Sequence, residues 1–111
     1  MENDIKRLEA MGKIMSIKGE LDPLYKQLKT TYDKVDALDL DANYISTLKA
    51  TLSGIILMVH QVSETLCKMI CKLNEKDTDV AKYLDILNQT SDNLEGLIPR
   101  TYAFLESIDE L

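Results

Sequence analysis

The stretch that decides the fold runs from residue 45 to residue 73 and reads ISTLKATLSGIILMVHQVSETLCKMICKL. Apolar side chains recur along it at alternating spacings of three and four residues, without interruption. This is the heptad spacing of a helix that buries one stripe of side chains against other helices. The sequence therefore predicts a long central helix from about Asp41 to Glu75, with Asp41 as its N-cap. The stripe comprises Ile45, Leu48, Leu52, Ile55, Val59, Val62, Leu66, Met69 and Leu73.

The segments on either side show the same spacing and predict two further helices. Asp77 or Thr78 is the predicted cap of the third one. Ile5 and Leu8 lie upstream of the first stripe in a shifted frame, and Gly12 lies near the shift. The first stripe comprises Ile14, Ile17, Leu21, Leu24, Leu28, Thr31, Val35 and Leu38. The third comprises Val80, Leu84, Leu87, Ser91, Leu94, Ile98, Thr101, Leu105 and Ile108.

Three helical segments of similar length, joined by short breaks at 39–41 and 74–78, predict an all-α, antiparallel three-helix bundle in one domain, residues 1–111. Each helix would be about 50 Å long at 1.5 Å per residue. Pro23, Gly54 and Pro99 would fall at one level of this bundle, so we expect a kink there. The alternative breaks the chain at 19–22 and near 98, which gives five shorter helices in a compact bundle.

Composition and charge exclude several classes of protein. The 111 residues include 13 basic and 19 acidic side chains, a net charge of −6, which argues against direct binding to nucleic acid. No run reaches the roughly 18 apolar residues of a membrane span. The N-terminus lacks a signal-peptide core, and Cys67 and Cys71, four apart on one helix, predict reduced thiols. We therefore expect an intracellular, cytoplasmic protein without a membrane span.

The outer face of the central helix is the candidate functional surface. Between Ala42 and Ser63 only Lys49 is charged, whereas the outside of a bundle helix is usually rich in charged residues. Small residues on this face would allow a second backbone to approach closely. The pattern predicts a second seam for a helix of a partner protein or of a second copy; alternatively, the short helices of the five-helix fold would cover it. The predicted contact residues are Ser46, Ala50, Ser53, Ile56, Leu57 and His60.

Residues with the chemistry for metal binding or catalysis are present, but their spacing is poor. His60, Glu64, Cys67 and Cys71 follow one stripe of about 16 Å, which is too long for a single metal site. Cys67 would lie about 10 Å from His60, beyond hydrogen-bond reach. The chain has no phosphate-binding glycine loop and no hydrolase or metalloprotease motif. We therefore predict no catalytic residues, no metal and no cofactor.

These features favour a non-enzymatic protein–protein interaction module, such as an adaptor, a subunit of a helical assembly or a chaperone-like binder. The acidic last segment would steer a basic partner, and heptad seams of this length also permit self-association. The alternative is an acidic inhibitor that mimics nucleic acid, although a mimic has no use for an apolar outer face. The acidic surface in either hypothesis comprises Asp77, Asp79, Asp85, Asp92, Glu95, Glu106, Asp109 and Glu110.

Overall fold

The protein is an all-helical bundle of three helices. The computed structural model describes residues 2–75 and 78–111, with side chains from residue 4 onward. Helix α1 spans Glu2–Val35, α2 spans Ala42–Leu73 and α3 spans Val80–Asp109. Within these ranges the structure has no strand. The predicted three-helix architecture is confirmed.

Side chains at the helix starts explain where α2 and α3 begin. The Asp41 carboxylate accepts a hydrogen bond from the backbone N–H of Asn43 at 3.1 Å, which confirms this residue as the N-cap of α2. Asp79 caps α3 in the same way, because its carboxylate accepts from the N–H of Lys82 at 3.2 Å. The prediction of Asp77 or Thr78 as this cap is therefore wrong. The Thr78 hydroxyl instead donates to the carbonyl of Lys72, and Asp77 lies outside the described residues.

The five-helix alternative is wrong, because α1 and α3 run through their prolines. Helix α1 continues past Gly19 and Pro23, and α3 continues past Pro99. An internal proline removes one backbone hydrogen bond but keeps a helical φ, so packing on either side can hold the helix together. Leu21 and Leu24 supply that packing around Pro23, since both are buried.

Polar contacts fix the direction of α2 relative to α1. Near the start of α2, the Lys49 ammonium lies 2.9 Å from the Asp36 carboxylate, just beyond the end of α1. Further along, Lys18 in the first half of α1 donates to the Cys67 sulfur at 3.1 Å. Residue numbers thus rise along α2 as they fall along α1, and the two helices are antiparallel.

Helix α3 runs parallel to α1 and completes an up-down-up arrangement. Lys13 of α1 donates to the side-chain oxygen of Asn88 in α3 at 2.5 Å. Further along both helices, Pro23 and Pro99 line one crevice between α1 and α3. Helices α2 and α3 both pack on α1 but barely contact one another. Helix α1 is therefore the element that holds the bundle together.

The core follows most of the predicted seam positions, but Ile45, Ile55 and Val62 of α2 and the middle of the α3 stripe are not fully buried. All seven α1 seam positions from Ile14 to Val35 are buried. In α3, by contrast, Ser91 is exposed, and Leu94, Ile98 and Thr101 are only half-buried. The bundle is consequently well closed at its ends and open between α2 and α3 at its middle. The remaining buried apolar residues are Ala10, Leu48, Leu52, Val59, Leu66, Met69, Leu73, Val80, Leu84, Leu87, Leu105 and Ile108.

Candidate protein-interaction surface

The predicted contact residues of α2 lie on the side of the helix that points away from α1. Five of them are exposed, and Ile56 is half-buried. The reason is the helical period: Leu48, Leu52 and Val59 face α1, so residues half a turn away face outward. Leu57 has 57% of its surface exposed and is the one large apolar side chain on this side of the helix. We call the outward set Ser46, Ala50, Ser53 and Leu57 the outer face of α2.

His60 and Ile56 mark the edge of this face toward α1. The His60 ring lies against Tyr25, with 6.3 Å between the ring centroids. Its Nε2 atom is also 3.3 Å from a carboxylate oxygen of Glu64, one turn along α2. The His60 side chain keeps 53% of its surface exposed beside these neighbours, and the outer face lies further round the helix from α1.

Lys49 does not contribute charge to the outer face. Its ammonium group is turned toward α1, where it donates to Asp36 and lies 5.0 Å from the centroid of the Tyr32 ring. The hydrogen bond to the Asp36 carboxylate raises the pKa of Lys49 above its ordinary value. Because this is the one charged residue between Ala42 and Ser63, the outer face is uncharged along its whole length.

An apolar groove between α2 and α3 was not predicted from the sequence. It has a volume of about 320 Å³, and Leu21 and Leu24 of α1 line it. Two large side chains lining it are largely exposed, Met58 on α2 at 49% and Leu97 on α3 at 43%. The signal for it was the weak middle of the α3 stripe, where Thr101 occupies a seam position that lines the groove. The other lining residues are Thr51, Ile55, Val59, Val62, Leu94, Ile98, Arg100, Thr101 and Phe104.

The acidic residues of α3 lie away from this groove. By helical spacing, Asp92, Glu95 and Glu106 share a side of α3 that is not the side of Leu97. Glu95 lines the crevice between α1 and α3 instead. The seven described members of the predicted acidic surface are all exposed, and one of them, Asp79, is also the cap of α3.

The groups with potential chemistry remain scattered. Cys67 and Cys71 are free, exposed thiols. The hydrogen bond from Lys18 to Cys67 raises the pKa of that lysine. In residues 2–75 and 78–111, no three His, Cys, Asp or Glu side chains are grouped closely enough to hold a metal ion.

A second exposed apolar stripe on α1 was missed as a surface. Ile5, Leu8 and Met15 are 67%, 74% and 65% exposed, and they share the outer side of α1. The signal for Ile5 and Leu8 was present in the sequence, because both lie outside the frame of the buried seam. The consequence of this shifted frame is their exposure.

Comparison of the chain with protein-family models, curated proteins and solved structures found no match. By length and composition alone, α2 is apolar enough to cross a membrane, which differs from the expectation drawn from its short uninterrupted apolar runs. Only 17% of its most apolar stretch is buried within the bundle. The surface therefore has to be interpreted from its own chemistry.

Proposed function

We propose that the chain is a non-enzymatic protein–protein interaction module, and that the outer face of α2 receives a helix of another protein. The observation that carries this proposal is an exposed, uncharged face on a 32-residue helix. Charged side chains usually solvate the outside of a bundle helix, so a face without them loses less hydration when another helix covers it.

The mode of binding follows from the residue sizes along the face. Ser46, Ala50 and Ser53 are small and recur at spacings of three and four, so a partner helix can approach α2 closely. Leu57 continues this row as a large apolar side chain that would insert between partner residues. The partner helix would present its own apolar residues at the matching helical spacing.

The acidic side of α3 would act at longer range. Its exposed carboxylates attract a basic partner and set its orientation, while the uncharged outer face supplies the contact that persists in salt. The chain would then serve as an adaptor, a subunit of a helical assembly or a chaperone-like binder in the cytoplasm.

A bend in the bundle would help to present this surface. We infer that the helices, each near 50 Å, bend at the level of Pro23, Gly54 and Pro99. Two openings at this level support the bend. Pro23 and Pro99 line the crevice between α1 and α3, and their neighbours Leu24 and Ile98 line the groove between α2 and α3. The replacement Pro99→Ala would straighten α3 and lengthen the particle in small-angle X-ray scattering; an unchanged particle would contradict the bend.

The test is affinity capture from the native host extract at low and high salt, with three forms of the chain. The wild type should retain a partner at high salt, and Leu57→Glu should lose it. Ser16→Glu adds the same charge to an exposed position of α1, so it should retain the partner. Circular dichroism should show unchanged helicity for both variants, because both positions are exposed.

Three outcomes would contradict the proposal. If Leu57→Glu unfolds the chain, Leu57 belongs to the core. If both variants retain the partner equally, the partner binds elsewhere. If a basic nucleic-acid-binding protein is recovered only at low salt, and equally by both variants, the chain mimics nucleic acid through its carboxylates.

A further inference from the structure

We propose that a second copy of this chain fills the apolar groove between α2 and α3. The two α2–α3 pairs would stack face to face, with each α1 on the outside of the dimer. This inference goes beyond the proposed function, because it concerns the chain itself and uses Met58 and Leu97 rather than the outer face of α2.

The groove is open in the single chain. Helices α2 and α3 barely contact one another, so α1 alone supplies the floor while both walls remain open. Met58 and Leu97 leave about half of their surface in water on opposite walls. Two helices from a second copy, its α2 and α3, would cover the groove and form a four-helix layer with α2 and α3 of the first copy.

The residues that line the groove include no acidic side chain. A chain with a net charge of −6 repels its own copies unless the meeting faces are free of acids. Among the residues that line the groove only Arg100 is charged, and it is exposed. Glu95 lines the crevice on the other side of α3. Two grooves can therefore meet without bringing carboxylates together.

The chain exposes a large surface for its mass. The accessible surface is 7410 Å², whereas a compact monomer of 12.6 kDa exposes roughly 6200 Å². The surplus of about 1200 Å² accompanies an elongated shape of 60 × 20 × 16 Å. Along this length, a stacked α2–α3 pair has room for the roughly 800 Å² per copy of a standard interface.

The groove and its walls are self-complementary. A two-fold dimer uses the same patch on both copies, so the patch must contain both a protrusion and a hollow. Here Met58 protrudes beside the hollow floored by Leu21 and Leu24. A two-fold axis through the groove mouth would place the Met58 ridge of each copy over the hollow of the other.

The test is sedimentation equilibrium of the full chain from about 1 to 100 µM, in which micromolar association is measurable. The wild type should show twice the 12.6 kDa chain mass, and the dimer should persist at high salt because its contact is apolar. Met58→Glu and Leu97→Glu should each weaken association about tenfold or more, because they place a charge in the interface. The milder Met58→Gln provides the same test should either glutamate variant fail to fold.

Two controls separate this dimer from other contacts. Ala81→Glu adds the same charge to α3 at an exposed site about 24 Å along the helix from Leu97, so it should leave the dimer intact. Ser53→Glu lies on the outer face of α2 and should also leave it intact. A monomeric wild type at 100 µM would overturn the inference, as would a dimer that Met58 and Leu97 substitutions do not weaken.

The results also separate this inference from the proposed function. A monomeric chain whose capture of another protein still depends on Leu57 removes the dimer and leaves the proposed function standing. A dimer that Leu97→Glu dissociates, in a chain without a Leu57-dependent partner, supports the dimer and removes the proposed function.

Discussion

Two leucines five residues apart on α2 should lose very different amounts of stability on truncation. Leu52 is fully buried against α1, whereas Leu57 has 57% of its surface exposed on the outer face. The replacements Leu52→Ala and Leu57→Ala remove the same atoms from the same helix. Any difference between them therefore reports packing rather than helix propensity.

The expected magnitudes follow from burial. Each replacement removes the equivalent of about three methylene groups, and a fully buried methylene group contributes about 0.8 kcal/mol to the unfolding free energy. At Leu52 the residual cavity adds to this transfer cost, which brings the loss of unfolding free energy to about 2–5 kcal/mol. At Leu57 less than half of the transfer cost applies and no cavity forms, so the loss should be about 1 kcal/mol or less.

Urea denaturation followed by circular dichroism would measure both losses in the same buffer and at the same chain concentration. Leu66→Ala, at a position 1% exposed, is a second buried reference and should match Leu52→Ala. A loss below about 0.5 kcal/mol for both buried variants would refute the seam assignment. A loss for Leu57→Ala as large as that for Leu52→Ala would show that Leu57 is core, and the outer face would then have no basis.

Three smaller predictions concern a cap, a glycine and an ion pair. Asp79→Ala should lower the unfolding free energy by about 1 kcal/mol in a urea melt, and no change would mean that Asp79 is not the cap of α3. Gly12→Ala should raise it by about 0.5–1 kcal/mol, since an added Cβ meets nothing within 4 Å; a decrease would reveal a hidden contact. Because Asp36 raises the pKa of Lys49, the pair is intact below about pH 10 and is lost as pH rises through the raised pKa. Asp36→Asn should lower the Lys49 midpoint in a carbon-13 NMR titration, and an unchanged midpoint would exclude the pair.

The sequence predicted the helices and their buried stripes because both depend on local spacing. Leu52 and Leu66 are buried where the heptad pattern placed them, and Asp41 caps α2 as its position suggested. The prediction for the start of α3 was wrong because Asp77, Thr78 and Asp79 are all competent caps. Spacing alone does not choose among three adjacent caps, and in the structure the cap is Asp79.

The groove and the α1 stripe depend on how whole helices are arranged, which spacing does not report. Ser91 and Thr101 were assigned to a closed seam, yet Ser91 is exposed and Thr101 lines the open groove. Heptad spacing fixes which side of a helix faces its neighbours, but it leaves open how closely two neighbours approach each other. The position of Leu57 opposite the buried seam follows from spacing alone, and the lack of charge around it marked this side of α2 as the candidate surface.

Site-specific photocrosslinking would show directly whether the outer face of α2 contacts another protein. Photo-leucine at position 57 keeps nearly the size of the natural side chain, and photo-leucine at the exposed position 16 of α1 is the control. In native host extract at high salt, we expect one crosslinked protein from position 57 and none from position 16. The same adducts from both positions, or none from position 57, would contradict the assignment of this face as an interaction surface.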